Sequence, residues 1–335
     1  MSTHRIHWLI VLSLAGAAFG ARAGAADVDR YLPDESNFIA ALDFHSLVDA
    51  PIFKNNAPEF VARYGIQVYE AMAAFDPQFQ KSFKEKRFLL KQILTNRELV
   101  SKMLKEWGEA VASVTVAGNS DDPQSVLLVV RGDFTAAGMK TALEGGSFFS
   151  GKTLKTEPLG RRTLYRINGL GADKEAVNYG VLLEDGVCVF SPSRDSIEEA
   201  AAKADGKRET KLSKRMRAVL DGMDRKQTLW LCGVSRKEGE EADSFHAVVS
   251  VAKDVQLTFA AQARSADAAR KQADEMNQAL DQAKELLAQL AESAPPLKPL
   301  SEQLKSFKLA ADDSTVVGRL TVTQMTLDQM LNAKP

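Results

Sequence analysis

The sequence predicts an α+β fold: antiparallel sheet with helices packed on one face, laid out in two halves of related design. Three observations predict it. Strand-like runs come in pairs joined by short turn sequences, which suits hairpins better than parallel crossovers. Several strands alternate apolar and polar residues, the pattern of antiparallel strands with one face packed and one face wet. Four strands pass through a few polar residues directly into a helix: VVRGDFTAAGMKTAL, VCVFSPSRDSIEEAA, FAAQARSADAARKQA and RLTVTQMTLDQML. This is repetition by type of element, without strong residue identity.

The chain opens MSTHRIHWLIVLSLAGAAFGARAGAAD. Arg5 precedes an uncharged apolar run, Trp8 to Gly20, and Ala21-Arg22-Ala23 and Ala23-Gly24-Ala25 are small-x-small cleavage sites, so residues 1–23 read as a secretory signal peptide. The run is short of the ~20 residues a spanning helix needs, although an uncleaved N-terminal anchor is the alternative. With no cysteine near the cleavage sites and no later segment apolar enough to span, the mature chain is expected to be exported, periplasmic or extracellular, with no transmembrane segment. Cleavage removes Arg5 and Arg22 and no acid from 43 basic and 44 acidic residues, leaving a net charge of −3. Such a balance gives no global field to recruit nucleic acid.

SNFIAALDF (36–44) reads as a first strand, broken by Asp49-Ala50-Pro51. A helical block is expected over 57–107, where Phe60, Val61, Tyr64, Val68 and Met72 begin a series of helical stripes. AVASVTVAG (110–118) and SVLLVVRG (125–132) form a hairpin about Asn119 to Pro123, and a short helix follows, capped by Asp133 or Thr135. Arg131-Gly132-Asp133 is an adhesion tripeptide in other settings. Here it reads as a strand end, with Gly132 turning the chain. RRTLYRI is a strand, NYGVLLEDGVCVFSPS a hairpin about Asp185-Gly186, and RDSIEEAAAKADG a helix with Ser196 and Glu199 spaced as a capping box.

The second half runs helix (KLSKRMRAVLDGM), strand (TLWLCGVSR), and two strands about Lys253-Asp254. A long helix follows, with Ala269, Ala273, Met276, Leu280, Ala283, Leu287 and Leu290 along one seam. That seam is heptad-like, but its alanines favour a helix lying across its own sheet over a coiled coil. After Pro295, Pro296 and Pro299 come a last strand, DSTVVGRLTVT, and a last helix with Thr326 and Gln329 as a capping box. VLLVV (126–130) and GVLL (180–183) are apolar on both faces and are expected to lie centrally. The halves divide as 27–205 and 206–335.

Cys188 and Cys232 are the two cysteines. Export permits a disulfide between them, burial as free thiols is the alternative, and sequence does not supply the separation that decides. His45 and His246 remain after export and read as ordinary strand residues, too few for a tetrahedral zinc site. Gly146-x4-Gly151-Lys152-Thr153 satisfies the bare phosphate-loop pattern, but no strand precedes it, Phe148-Phe149 fill the cradle, and extended residues follow. No cofactor and no catalytic residue is assigned. Basic clusters at 80–92 and from Lys203 to Arg217 are candidate contacts for an anionic envelope polymer, with solvated helix faces as the plainer reading.

DRYLPDESNFIAALDFHSLVDAPIFKNN resembles the start of a family of exported bacterial proteins of unknown function, in which a Leu-Pro-acidic entry precedes a strand. LLVVRGDFTAAGMKTAL, GRRTLYRI and GVLLEDGVCVFSPSRDSIEEAA are similar to that family too. The resemblance spans most of residues 27–205 and implies export and fold, with no activity or site residues.

The functional expectation is a non-enzymatic binding or interaction module, meeting a protein partner or an anionic polymer through the wet sheet face that includes Gln256, Thr258, Gln262, Arg319 and Thr321. The alternatives are a cell-envelope hydrolase with unidentified carboxylates, and a carrier of an apolar ligand held between the long helical block and the sheet.

Overall fold

The computed structural model describes residues 28–54, 56, 58, 61, 88, 92, 96–141, 143, 153–168, 177–235, 242–293 and 295–332. Every strand pairing given below is antiparallel. The chain forms two compact units. One runs to Leu212 without Asn37–Ala57, and the other combines Asn37–Ala57 with Ser213–Pro335. The boundary therefore differs from a simple cut near 205: the first strand belongs with the C-terminal half. Strand β1 (Phe38–Asp43) pairs with β8 (Leu229–Val234), placing Ile39 opposite Cys232 and Ala41 opposite Trp230. Those four side chains are all buried, so the long-range pairing hides an apolar face that neither strand could hide alone. Asp43 ends β1 and caps the short helix α1 (Phe44–Asp49), its Oδ1 accepting from the Ser46 N–H at 2.8 Å.

The N-terminal unit contains helix α2 (Arg97–Ala110) and strands β2 (Val111–Asn119), β3 (Asp122–Gly132), β4 (Thr153–Leu159), β5 (Arg162–Asn168), β6 (Val177–Glu184) and β7 (Val187–Ser191). Their order is β2-β3-β7-β6-β5-β4. The two strands apolar on both faces, β3 and β6, are interior, and Leu127 to Val130 are all buried. Alternation sends Cys188 and Val189 to opposite faces. On the Cys188 side lies Met139, from the helical residues 136–141. Helix α3 (Arg194–Ala204) packs on β3, β6 and β7 and buries Ile197 and Ala200. Of the helical block expected over 57–107, α2 is its C-terminal part. Most of the rest, like the 144–152 loop and the 80–92 basic cluster, lies outside the described residues.

The C-terminal unit has strand order β1-β8-β9-β10-β12-β11, with β9 (Ala242–Val251), β10 (Val255–Ala263), β11 (Ala310–Asp312) and β12 (Thr315–Val322). Helix α4 (Lys214–Gly222) buries Met216 and Leu220, and Met216 Sδ lies 3.7 Å from Cys232 Sγ. Helix α5 (Ala266–Ser293) packs Ala269 and Ala273 on Ala261, Ala263 and Val316, the opposite face of the strands. Its alanines bring it close to its own sheet, as the seam predicts. Helices α6 (Lys298–Leu304) and α7 (Gln324–Asn332) complete the unit.

Two helix starts lie three residues earlier than the capping-box spacing suggests. Ser193, not Ser196, caps α3, and Thr323, not Thr326, caps α7; each accepts from the N–H three residues on. Each helix follows its strand with almost no linker, so the first suitable hydroxyl beyond the strand takes the cap. Glu199 is thereby released for an ion pair inside the fold.

Asn277 on α5 mimics a strand. Its Oδ1 accepts from the Leu309 N–H and its Nδ2 donates to the Leu309 carbonyl, both at 2.9 Å. Asn277→Ala should lower stability by about 1–2 kcal/mol, since both Leu309 groups lose their partner. The shift of a urea unfolding midpoint at constant slope measures it.

Candidate functional site

The five residues of the expected wet face are placed by the β10–β12 register. Gln256 sits opposite Thr321, Thr258 opposite Arg319, and Gln262 opposite Thr315. Directly opposed residues share a face, so the register brings all five together. Each of the five is exposed. Strand β9 continues the face with Ser250, Val248, His246 and Ser244, opposite Gln256, Thr258, Ala260 and Gln262. The described positions of β9, β10 and β12 that the register sets on this face carry no carboxylate, while Asp312 of β11, opposite Thr315, and Asp243 of β9 stand at its Thr315 end. Arg319 makes no hydrogen bond or ion pair with a described residue.

At one end this face meets helix α4. The helix buries Met216 and Leu220 and turns the stripe Arg215, Ala218, Val219 and Gly222 toward β9 and β10; the spacing 3, 1, 3 is one helical face. Between that stripe and the strands runs an open groove of about 340 Å³, bounded on the sheet side by His246, Ser244, Ala260, Gln262 and Thr315. It exists because Ala218, Gly222 and Ala260 are too small to fill it.

Several polar groups around the groove are already satisfied. Thr315 Oγ1 donates to Gln262 Oε1 at 3.1 Å, and Gln262 Nε2 donates to Ser314 Oγ at 2.9 Å. Asp243 faces Arg264 at 3.5 Å. Arg215, Ser244 and His246 have no side-chain partner among the described residues. Burial lowers the His246 pKa, so the imidazole is neutral near pH 7.

The other candidates resolve into structure. Cys188 and Cys232 are free and buried, and the disulfide that export would permit is not formed. Each thiol lies 3.7 Å from a methionine sulfur of its own unit, Met139 or Met216. Burial pushes the Cys188 thiol up to about 12, which makes it inert as a nucleophile. His45 pairs with Asp49 on α1 at 3.3 Å. Among the described residues no group of three or more His, Cys, Asp or Glu side chains is placed to hold a metal.

In the second basic cluster, Lys203 is withdrawn from any surface role. Its Nζ is buried and donates to the Leu32 carbonyl, to Asp34 Oδ1 at 2.7 Å and to Glu199 Oε1. Arg208 reaches the other Asp34 oxygen at 2.7 Å. Two carboxylates thus meet, but around a cation. Burial alone would raise the Asp34 pKa; hydrogen bonds from Lys203, the Lys211 N–H and Arg208 outweigh it and hold it at about 2. A carboxylate so firmly ionised is the reverse of a general acid. Nearby, Tyr31 donates to Glu184 at 2.5 Å and accepts from Arg30, and its pKa is pushed up to about 12, first by burial and then by Glu184.

No protein-family model and no curated protein matches the chain. A solved structure, crystal form I of TP0453, is similar over 92% of this chain and 98% of that one, with 8% identity and a TM-score of 0.43. A likeness at that distance carries no argument, and function is read from the residues themselves.

Sequence reasoning found the β10 and β12 half of the surface through alternation. It read His246 as an ordinary strand residue and Arg215 as one member of the basic cluster from Lys203 to Arg217, and it did not single out Ser244. Ser244, His246, Val248 and Ser250 recur at every second position of β9, which was a legible signal. Only the packing of α4 beside β9 made a groove of it.

Proposed function

We propose that this protein is an exported, non-enzymatic binding module, a member of the exported bacterial family its opening resembles. Its contact surface is the open face of β9, β10 and β12, and its partner is an acidic protein segment. One observation carries this reading: Arg319, with no partner among the described residues, stands on β12 beside Thr258, Gln256 and Thr321, away from Asp312 and Asp243 at the Thr315 end of the face. Arg215 adds a second such cation at the groove. Arg319 and Thr315 are four residues apart on β12, roughly 13 Å at strand rise, a spacing that an extended acidic chain spans.

The test is binding of a fluorescent oligoglutamate peptide to the full chain by anisotropy at low salt. Arg319→Glu with Thr258→Glu should weaken binding at least about tenfold, and wild-type binding should fall with added salt. Both positions are exposed, so the melting temperature should hold. Unchanged affinity in a folded double variant would sink the reading.

A further inference from the structure

We infer that the groove between α4 and the β9–β10 strands is a site for a small monocarboxylic acid with a compact apolar body. This rests on the binding-module reading above and names what its groove takes.

The walls set the body of the ligand. Ala218, Val219 and Ala260 are apolar, and about 340 Å³ is at the small end of ligand sites. That volume equals on the order of ten water molecules, enough for a single ring or a short chain but not for a lipid or a nucleotide.

The polar groups set the head. Gln262, Thr315 and Asp243 are committed to Ser314, to each other and to Arg264. Arg215 is left as a fork of N–H donors, whose natural complement is a carboxylate. Ser244 and His246 stand on the opposite wall, two residues apart on one face of β9, and supply neutral hydrogen-bonding groups. Asp243 also lines the groove. Among the described lining residues Arg215 is the cation left for a ligand, and the Asp243 carboxylate, held by Arg264, stands nearby, so the charge suits a monoanion better than a phosphate dianion. An amine ligand would find Asp243 already paired and Arg215 opposed to it. A monocarboxylate meets each of these conditions.

The experiment titrates the full chain with benzoate, with benzyl alcohol and inorganic phosphate as controls, followed by ligand-observed NMR. Benzoate should bind with a dissociation constant of about 1 mM or tighter, a range suited to so small a ligand. Benzyl alcohol and phosphate should each bind at least about tenfold more weakly. Arg215→Gln should weaken benzoate at least about tenfold, and Ala218→Leu, which fills the groove from an exposed helix position, should abolish binding. Ala218→Leu should not alter oligoglutamate binding by more than about twofold, since Arg319 and the strand face carry most of it. Benzyl alcohol binding as well as benzoate would overturn the inference, as would wild-type affinity in either variant. Absence of benzoate binding to the wild-type chain, with its oligoglutamate binding intact, would overturn the groove assignment and leave the binding-module reading standing.

Discussion

Gly132→Ala should destabilise the N-terminal unit by at least about 3 kcal/mol, or prevent it from folding. A Cβ at Gly132 would lie 1.9 Å from the Ala110 carbonyl oxygen and 2.9 Å from its carbon. Both are backbone atoms, so no rotamer can move them aside. The backbone there is held on both sides. The Asp133 N–H donates to the Ala110 carbonyl and the Gly132 N–H to the Gly186 carbonyl, each at 3.0 Å. The Gly186 N–H donates in turn to Phe134 at the tip of the β6–β7 hairpin. Urea unfolding of the variant beside the wild type checks this, and matching midpoints would contradict it. The same geometry explains the Arg-Gly-Asp tripeptide. Arg131 is only 6% exposed and Gly132 is buried, so the three residues close a strand end.

Lys203→Met should cost about 3 kcal/mol, because a 1% exposed ammonium is removed from two carboxylates that stay in place. The loss should also appear as altered pH dependence. Asp34 titrates at about 2 in the folded protein against an ordinary value of 3.8. Its pKa is depressed on folding, so its contribution is fully present above the unfolded value and is lost as pH falls from about 4 toward 2. That contribution is about 1–2 kcal/mol, less than the full shift implies, because Arg208 is half exposed and water screens its share. In Lys203→Met the acid-side slope over this window should shrink without vanishing, since Arg208 and the Lys211 N–H still hold Asp34. Unfolding free energies measured between pH 2 and 5 would show it. An unchanged slope would mean that Lys203 does not set the Asp34 titration.

Local pattern read the strands well and the helix caps less well. Alternation found the faces of β10 and β12, and the doubly apolar runs marked β3 and β6 as interior. Ser193 and Ser196, or Thr323 and Thr326, are chemically equal candidates for a cap. The choice belongs to where the preceding strand ends, which is fixed by partners far along the chain. Ser193, for example, follows β7, whose length is set by pairing with β3 and β6.

The candidate site divides in the same way. Gln256, Thr258, Gln262, Arg319 and Thr321 were legible because a strand has a period of two and nothing else is needed to sort its faces. The groove was not, because it depends on α4 lying beside β9 and on three small residues from two distant segments facing one another.

By itself, then, the sequence determined the element types, the α+β class, the inner strands and the polar character of the β10–β12 face. These follow from local periodicity and from which side chains water tolerates. The tertiary structure decided that residues 37–57 join the C-terminal unit, that both cysteines stay as buried thiols, that Lys203 serves the interior, and that Arg215 and His246 share a groove. Each of these turns on contacts between residues far apart in the chain, and no local pattern encodes such a distance.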